Sequence, residues 1–562
     1  MSGPFCDRAD EILRRQSRLE SERANWESHW AEAAERVLPR QRDFQGAKRA
    51  GGEKLSDKVF DSTAPLALEK FAAAMESMLT PRNERWHELT LGHATGDRAP
   101  SLSGEEWPQA VKEYLYAVTS VLFRLRYAPS ANFASQAQEN YIGLGAFGTA
   151  GLYVDEMLGR GLRYRAIALA ELFIAENHQG VIDTVHRRFE LTARQAKQKW
   201  GDALPAVILK AAESEGERKF EFVHAVQPRE EVERGRADHR GMPWASAYIS
   251  LEGRKVIGEG GFRSFPYAVS RYVTAPREVY GRSPAMQVLA DIKGVNEQQK
   301  TLLRTGQLVA DPPLLLSDDA SLNPFKMAPR ALNYGALDAN GNELVRPLQI
   351  GANLPITREM VQDGRGVIND AFLVTLFRIL TEGPSITATE AMMLAREKGE
   401  LLAPTVGRQQ SEFLGPLIQR ELDIAAHAGL LPPMPDELKA RGGEVSIDYT
   451  SPMMRAMRAG EGAAILQTIS QVAPLAQVDP SVMRVFKGVE TVRRLADING
   501  MPPGLLHDDK ALAAMDAQAA QAAQAQQMMA AAPGAAKAVK DMTEAQMMAG
   551  GSPGQTAPGG MV

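Results

Sequence analysis

The stretch from Ser283 to Glu390 constrains this chain more than any other. Ser283-Pro284 opens a helix, a proline-rich apolar excursion follows, and a second helix runs to Leu380. Thr381-Glu382-Gly383-Pro384-Ser385 then stops that helix, and Thr387-Ala388-Thr389-Glu390 has the reciprocal spacing of a capping box that starts the next. Two long helices bracketing an excursion, with a tight loop directly after, suit a rod-and-loop element that lines something. They are hard to reconcile with enzyme architecture.

The first rod puts Val288, Leu289, Ile292, Val295, Leu302 and Leu303 on one stripe, while Lys293, Lys300 and Arg304 fall on another, nearly straight line. From Ala285 to Leu308 such a helix is roughly 36 Å long at 1.5 Å per residue. The basic line has a plain alternative, a solvated face with Glu297 pairing to Lys293 at i, i+4. The excursion, Ala310 to Pro355, holds Asp311-Pro312-Pro313, Leu314-Leu315-Leu316 and Asn340-Gly341, a strand-and-turn composition. The second rod, Ile356 to Leu380, repeats the amphipathic pattern through Met360, Val361, Val367, Ile368, Ala371, Phe372 and Ile379. The helix beyond it carries Gly399, Pro404 and Gly407 on the way to Leu430, which predicts a bend.

Ahead of the rods, Ile12, Leu13, Leu19, Trp26, Trp30, Ala33, Ala34 and Val37 recur at helical spacing, which predicts a long helix from Ala9 to Leu38 that ends before Pro39. Further helices are expected over Pro65 to Leu79, capped by Asp61, Ser62 or Thr63, then over Glu106 to Leu125 and Ala131 to Leu144. Strands are expected at Gly151–Val154, Leu162–Ile167, Val181–Phe189, Phe220–Val226, Trp244–Leu251 and Tyr267–Val273, with a short helix capped by Thr192 between them. Gly151 to Tyr280 therefore reads as a mixed sheet unit, and strands grouped after helices predict an α+β, mainly helical fold. Past Pro432-Pro433 the chain is helical again at Ala459–Val472, Pro480–Gly488 and Val489–Asn499. Asp508 to Ala532 is rich in Ala, Gln and Met, and the Gly/Pro-rich remainder has a disordered composition, so deletion of Asp541 to Val562 is expected to be tolerated.

At 562 residues the chain is too long for one core, and three to four structural units are expected. No apolar run approaches the ~18 residues of a membrane helix, and the start, Asp7-Arg8-Ala9-Asp10-Glu11, is charged where a secretory signal is apolar. Cys6 is the only cysteine, which excludes an intrachain disulfide and a cysteine-clustered zinc site. A net charge of −5 leaves no surplus of Lys and Arg with which to grip phosphates, so a chain that meets DNA should guide it rather than hold it.

Letter matches to chemical motifs fail on context. Gly143-Leu144-Gly145-Ala146-Phe147-Gly148 resembles a dinucleotide fingerprint, but the order here is helix, glycines, strand, the reverse of what a pyrophosphate site needs. A helix C-cap with close backbone packing is the expected role instead. Gly550-Gly551-Ser552-Pro553-Gly554 has the letters of a nucleophile elbow with no strand-turn-helix around it. No Gly-Lys-Ser or Gly-Lys-Thr phosphate loop exists, and the nine His show no ligand spacing. Asp318-Asp319 and Asp508-Asp509 read as solvated turn and helix-start residues. No catalytic, metal or cofactor residue is assigned.

The chain resembles the portal, or head-to-tail connector, proteins of short-tailed, podovirus-type bacteriophages. The resemblance spans roughly Asp7 to Gln527. Its carriers are the Trp26 helix, Phe60-Asp61-Ser62-Thr63-Ala64, Met78-Leu79-Thr80-Pro81, Phe147-Gly148-Thr149-Ala150-Gly151-Leu152, Val279-Tyr280-Gly281-Arg282-Ser283-Pro284, Thr387-Ala388-Thr389-Glu390 and Leu414-Gly415-Pro416-Leu417. It implies a ring of twelve copies at one capsid vertex around a channel for double-stranded DNA, assembled in the host cytoplasm and carried in the virion. The implied partners are the major capsid protein, a scaffold, the terminase large subunit and then the tail adaptor, with no membrane and no cofactor.

Placed on this sequence, residues 1–282 resemble the wing, Ser283 to residue 309 the first stem helix and Ile356 to Leu380 the second. Residues 310–355 resemble the clip, with Leu314, Leu315, Leu316, Asn323, Phe325, Asn340 and Gly341 as terminase or adaptor contacts. Thr381, Glu382, Gly383, Pro384, Ser385, Ile386 and Thr387 resemble the tunnel loop, residues 388–431 a kinked wing helix, residues 432–532 a helical crown or barrel, and 533–562 a disordered tail. Lys293, Lys300 and Arg304 are the candidates to face DNA. The tunnel loop lacks a basic residue, which favours steric obstruction over electrostatic grip. A ring of twelve would carry a charge of about −60, which opposes adhesion of the duplex. The competing readings are an adaptor that oligomerises without passing DNA and a DNA-processing hydrolase.

Overall fold

The computed structural model describes residues 4–44, 52–91, 108–157, 161–233, 235–316, 326, 330–332, 336–337, 340–348, 354–375, 402–441, 445–450, 452–478, 485–499, 501, 503–507 and 511–524. The chain forms two compact units, one of Met1–Leu102 with Tyr114–Phe486, the other of Ser103–Glu113 with Lys487–Val562.

Helix α1 (Pro4–Val37) is the long N-terminal helix expected from its apolar spacing, and it buries Ile12, Leu19, Trp30, Ala33, Ala34 and Val37. Pro39 ends it in a short 3-10 turn. Arg23, charged and therefore easy to assign to solvent, is buried instead. Its guanidinium donates to the carbonyls of Leu169, Ala170 and Leu172 and pairs with Glu27. This is the condition under which a cation is tolerated inside a protein, with every donor occupied.

Helices α2 (Thr63–Leu79), α3 (Gln109–Arg126) and α4 (Phe133–Phe147) follow. From Asn140 to Phe147 every residue of α4 is buried, as expected where the polar Ser135–Glu139 turn gives way to a run apolar on every side. A Cβ on Gly145 would stand 2.6 Å from Leu68 and 2.7 Å from Phe71 of α2, so this glycine is where the two helices touch. Gly148 closes α4 with φ +77° and leads straight into a strand. The glycine-rich letters are thus a helix cap and a packing contact.

The sheet unit consists of two antiparallel sheets. One has the order β3-β2-β9, from β2 (Thr149–Met157), β3 (Gly161–Ile167) and β9 (Tyr267–Arg271). The other runs β4-β5-β6-β7-β8, from β4 (Leu172–Glu176), β5 (Ile182–Thr192), β6 (Lys219–Pro228), β7 (Trp244–Ser250) and β8 (Lys255–Phe262). Alternation decides what each face of the larger sheet covers. Val223, Ala225, Ala247 and Ile249 pack under α1, while Phe189, Phe222 and Ile257 pack under α5 (Ala193–Trp200) and α6 (Ala206–Ser214).

The six expected strands are present, and Thr192 caps α5 in a complete capping box with Gln195. Strands β4 and β8 were not legible. Neither was β1 (His87–Leu91), which pairs with β12 (Val445–Tyr449) across more than 350 residues of sequence. Such a pairing has no local signal.

In the second unit the described helices are Gly488–Ile498, close to the expected Val489–Asn499, and residues 511–524. The expected helix Pro480–Gly488 lies mostly outside the described residues, and so does the tail.

Candidate assembly and channel surface

Ser283 caps the short helix α7 (Pro284–Gln287), its Oγ accepting from Met286 N at 3.0 Å while donating to Ala146 O at 2.9 Å. After a break at Val288, helix α8 (Leu289–Ala310) begins. The first rod is therefore two helices rather than one. The motif before it forms a junction: Gly281 N donates to Thr149 Oγ1 at 2.7 Å, and Tyr280 packs edge-on against Trp30. A Cβ on Gly148 would stand 2.4 Å from the carbonyl oxygen of Gly281, so the end of α4 and the start of the rod meet backbone to backbone.

Helix α9 (Leu354–Ala371) packs against α8. It ends at a turn in which Leu373 has φ +59°, so the expected continuous rod to Leu380 is broken after Ala371. Helical register holds as far as Phe372, whose N donates to Ile368 O at 3.1 Å and whose buried ring lies 6.4 Å from that of Phe71, and it tightens at Leu373, whose N donates to Asp370 O at 2.9 Å. A Cβ on Gly364 would lie 2.3 Å from Val295 Cγ2, marking the closest approach of the two helices.

Both helices are bolted to one short segment. Buried Asn296 of α8 accepts from Phe60 N at 2.7 Å and Asp61 N at 3.1 Å, and donates to Lys58 O at 2.9 Å. Arg365 of α9 donates to Asp61 Oδ2 through Nε at 2.9 Å and Nη2 at 2.6 Å. Asp61 also accepts from Thr63 N at 2.9 Å, so Asp61 rather than Ser62 serves the start of α2. Burial pushes the Asp61 carboxyl up, but the hydrogen bonds from Thr63 and Arg365 outweigh it and hold it below the usual carboxylate range. Neither Asn296 nor Arg365 stood out in the sequence, because a polar residue on an amphipathic helix reads as solvated.

The three basic candidates have different surroundings. Lys293 is ion-paired to Glu32 of α1, and Lys300 pairs with Glu297 at 3.1 Å and lies 5.3 Å from the ring centre of Phe60. The expected partner of Glu297 was Lys293, and the structure gives Lys300 instead. Arg304 is exposed and has no ion pair among the described residues. Along the apolar stripe, Leu289, Ile292 and Val295 are buried and Leu302 is half-buried, whereas Leu303 is 49% exposed; Leu308 and Val309, on other sides of the helix, are 44% and 48% exposed. On α9, Val361 and Ile368 are buried while Ile356, Met360 and Val367 are exposed.

Between the rods, β10 (Leu314–Leu316) pairs antiparallel with β11 (Val345–Pro347), leaving Leu315 exposed. Gly341 takes φ +81° in the turn beside Asn340, which a bridge between Leu337 and Glu343 closes. Asn323, Phe325 and the whole of Thr381–Thr387 lie outside the described residues.

The next helix is described from 402 to 427 and is irregular, as Gly407 and its neighbours suggested, but the irregularity is a π-helical segment, Gln409–Leu414, before Gly415-Pro416. Tyr449 OH donates to Gln410 O at 2.8 Å and Gln409 Nε2 donates to Arg271 O at 2.8 Å. Arg271 is clamped by Glu176 and Glu412, the latter through Nη2 at 2.8 Å. Farther along, Glu421 is fully buried, paired to Arg126 and accepting from Tyr164 OH at 2.7 Å. Burial raises the Tyr164 phenol far above its usual value, and the carboxylate reinforces it. His87, 3.2 Å from Arg126, is pushed well down by burial and then by that guanidinium.

Body, junction and rods leave Ile356, Met360 and Val367 of α9 exposed among the described residues. Residues 9–506 match the family of bacteriophage head to tail connecting proteins, and the chain belongs to it. It is similar to the probable portal protein of Bordetella phage BPP-1, 28% identical over 501 residues and 88% of each chain. It is also similar to the portal protein of Salmonella phage epsilon15, 26% identical over 548 residues and 96% of each. Among solved structures, the virion of a native gene transfer agent particle aligns with TM-score 0.34 and 11% identity, over 78% of this chain and 94% of that one. The neck of an empty gene transfer agent particle aligns with TM-score 0.37 and 12% identity, over 75% and 91%. The protein is a head-to-tail connector of the portal kind, α+β and mainly helical, as the resemblance carried by its motifs implied.

Proposed function

We propose that copies of this chain close into a ring, twelve by resemblance, whose α8–α9 helices surround a channel for double-stranded DNA. The observation that carries this reading is α9, where Ile356, Met360 and Val367 share one face at i, i+4 and i+11 and stand 54%, 54% and 48% exposed. Three large apolar side chains on one helix are a surface to be covered, and repeated copies around a closed symmetry axis cover it without a second protein species. The rods act by geometry rather than catalysis, and the net negative charge keeps the duplex from adhering to the wall.

The β10–β11 hairpin, with Leu315 outermost, serves as the clip that meets the terminase and later the tail adaptor. Residues 381–387 serve as the tunnel loop, and the assembled ring resides at the capsid vertex of the virion, in contact with the major capsid protein and scaffold. No cofactor enters this scheme.

Native mass measurement and negative-stain imaging of the purified protein test it directly: a holed ring of about twelve copies is expected, and a stable monomer refutes it. For the channel role, Arg304→Glu is the cleanest substitution, because Lys293 and Lys300 already serve ion pairs. The triple change of Lys293, Lys300 and Arg304 to Glu should lower the DNA content of particles while leaving rings intact. Wild-type DNA content in those particles would remove these residues from the channel.

A further inference from the structure

Between the two sheets lies a cleft of about 530 Å³ whose chemistry the connector role does not use. Alternation builds it. Tyr153 and Asp155 of β2 share a face with Arg163 and Arg165, their cross-strand partners on β3. From the other sheet come Arg187, Phe189 and Leu191 of β5, His224 of β6 opposite Arg187, and Tyr248 of β7 opposite His224. The sheets meet through rings, with His224 stacked on Tyr248 at 4.1 Å and bonded to Tyr267 OH at 2.8 Å.

The charges in this cleft do not balance. Arg187 is paired with Glu171 at 2.8 Å, but Arg163, Arg165 and Lys199 have no ion-pair partner among the described residues. Arg163 reaches only the carbonyl of Ser130, and the Lys199 ammonium rests on the rings of Tyr248 and Trp200 at 4.2 and 4.8 Å. Asp155 is the one carboxylate in the lining. In a protein of net charge −5, three cations facing the single carboxylate of Asp155, whose field reaches Lys199, are a local reversal of sign. Partial desolvation, then the field of Arg187, lowers the pKa of Arg165, and partial desolvation lowers that of Lys199, while both residues keep surface exposed to an incoming anion.

We propose that this cleft receives an acidic peptide segment of a partner protein, its carboxylates on Arg163, Arg165 and Lys199 and an apolar side chain against Tyr153, Phe189 and Leu191. Carboxylates suit the planar guanidinium groups, and the apolar half of the wall has no use for a bare anion. A phosphate site would be expected to present converging backbone N–H groups. Here the strand backbones are committed to ladders, and on β3 the N–H groups of Tyr164 and Ala166 are already taken by Ala131 O and the Gln136 side chain. The volume falls within the ~300–1,000 Å³ of small binding sites, which fits a loop tip or a few extended residues.

The test uses the full chain and a fluorescein-labelled Glu-Glu-Leu-Glu-Glu peptide in an anisotropy titration, with Lys-Lys-Leu-Lys-Lys and inorganic pyrophosphate as the other probes. Saturable binding of the acidic peptide is expected, weaker at high salt and absent for the basic peptide. Arg165→Glu with Lys199→Glu should weaken it at least about tenfold, and Asp155→Asn should tighten it a few-fold. Arg165→Gln with Lys199→Gln, whose unfolding temperature should match wild type, repeats the loss without charge reversal. No saturable binding, or equal affinity in these variants, overturns the proposal. Pyrophosphate binding as tightly as the peptide, with the same loss in the variants, would make this a free-anion site and overturn the peptide assignment.

Discussion

The two halves of helix α8 both carry large apolar side chains and meet different fates. In the first half Leu289, Ile292, Val295 and Asn296 are buried, and Asn296 ties the helix to the backbone of Lys58, Phe60 and Asp61. In the second half Leu303, Leu308 and Val309, on different sides of the helix, are exposed among the described residues. A hydrophobic stripe therefore says that a surface will be covered, not by which molecule. The first half belongs to the stability of one chain, and the second is left for the proposed ring to cover.

Substitutions on the self-contained side should destabilise the monomer, and the deepest ones most. Glu421→Ala leaves Arg126 buried and uncompensated, and should cost about 3–5 kcal/mol in chemical denaturation, with Glu421→Gln costing less because the hydrogen bond from Tyr164 survives. Gly148→Ala places a Cβ against the backbone of Gly281 and Arg282 at a left-handed φ, with an expected loss of about 1–3 kcal/mol or more.

Acid should act on the same side. Burial, then Arg15, pushes His186 down to about 3, and burial pushes His87 and His224 well below the usual imidazole value. The unfolded chain protonates these rings near pH 6.5 while the folded chain does not. Stability is therefore full above that pH and falls as pH drops from about 6.5 toward 3, by at most about 1.4 kcal/mol per pH unit for each ring. Denaturation curves taken at pH 7, 6 and 5 measure it, and a flat profile would refute the buried neutral state of all three.

On the other side, Leu303→Lys with Val309→Lys should change monomer unfolding by no more than about 0.5 kcal/mol, yet shift the ring-to-monomer balance in native mass spectra. A large stability loss from these two changes, or an undisturbed ring, would erase the distinction between the halves.

Much of the body was legible because its signals are local. The α1 stripe ends at Pro39, the Thr192 capping box is four residues long, and six strands alternate visibly. What was missed depends on distant partners. Strand β1 exists because β12 lies beside it, and the second rod turns at Leu373 directly after a Phe372 buried beside Phe71. Arg23, Asn296 and Arg365 look like solvent-facing side chains until the carbonyls, amides and carboxylate they serve are brought alongside. Of the basic line, spacing correctly put three cations on one helix, but it could not tell that Glu32 of α1 would claim Lys293.

Because Asn296 and Arg365 grasp neighbouring atoms of the same 58–61 segment, α8 and α9 share a fulcrum. A shift of either rod is therefore passed to the other at the foot of α2, while the Lys293–Glu32 pair holds α8 to α1 at a second point.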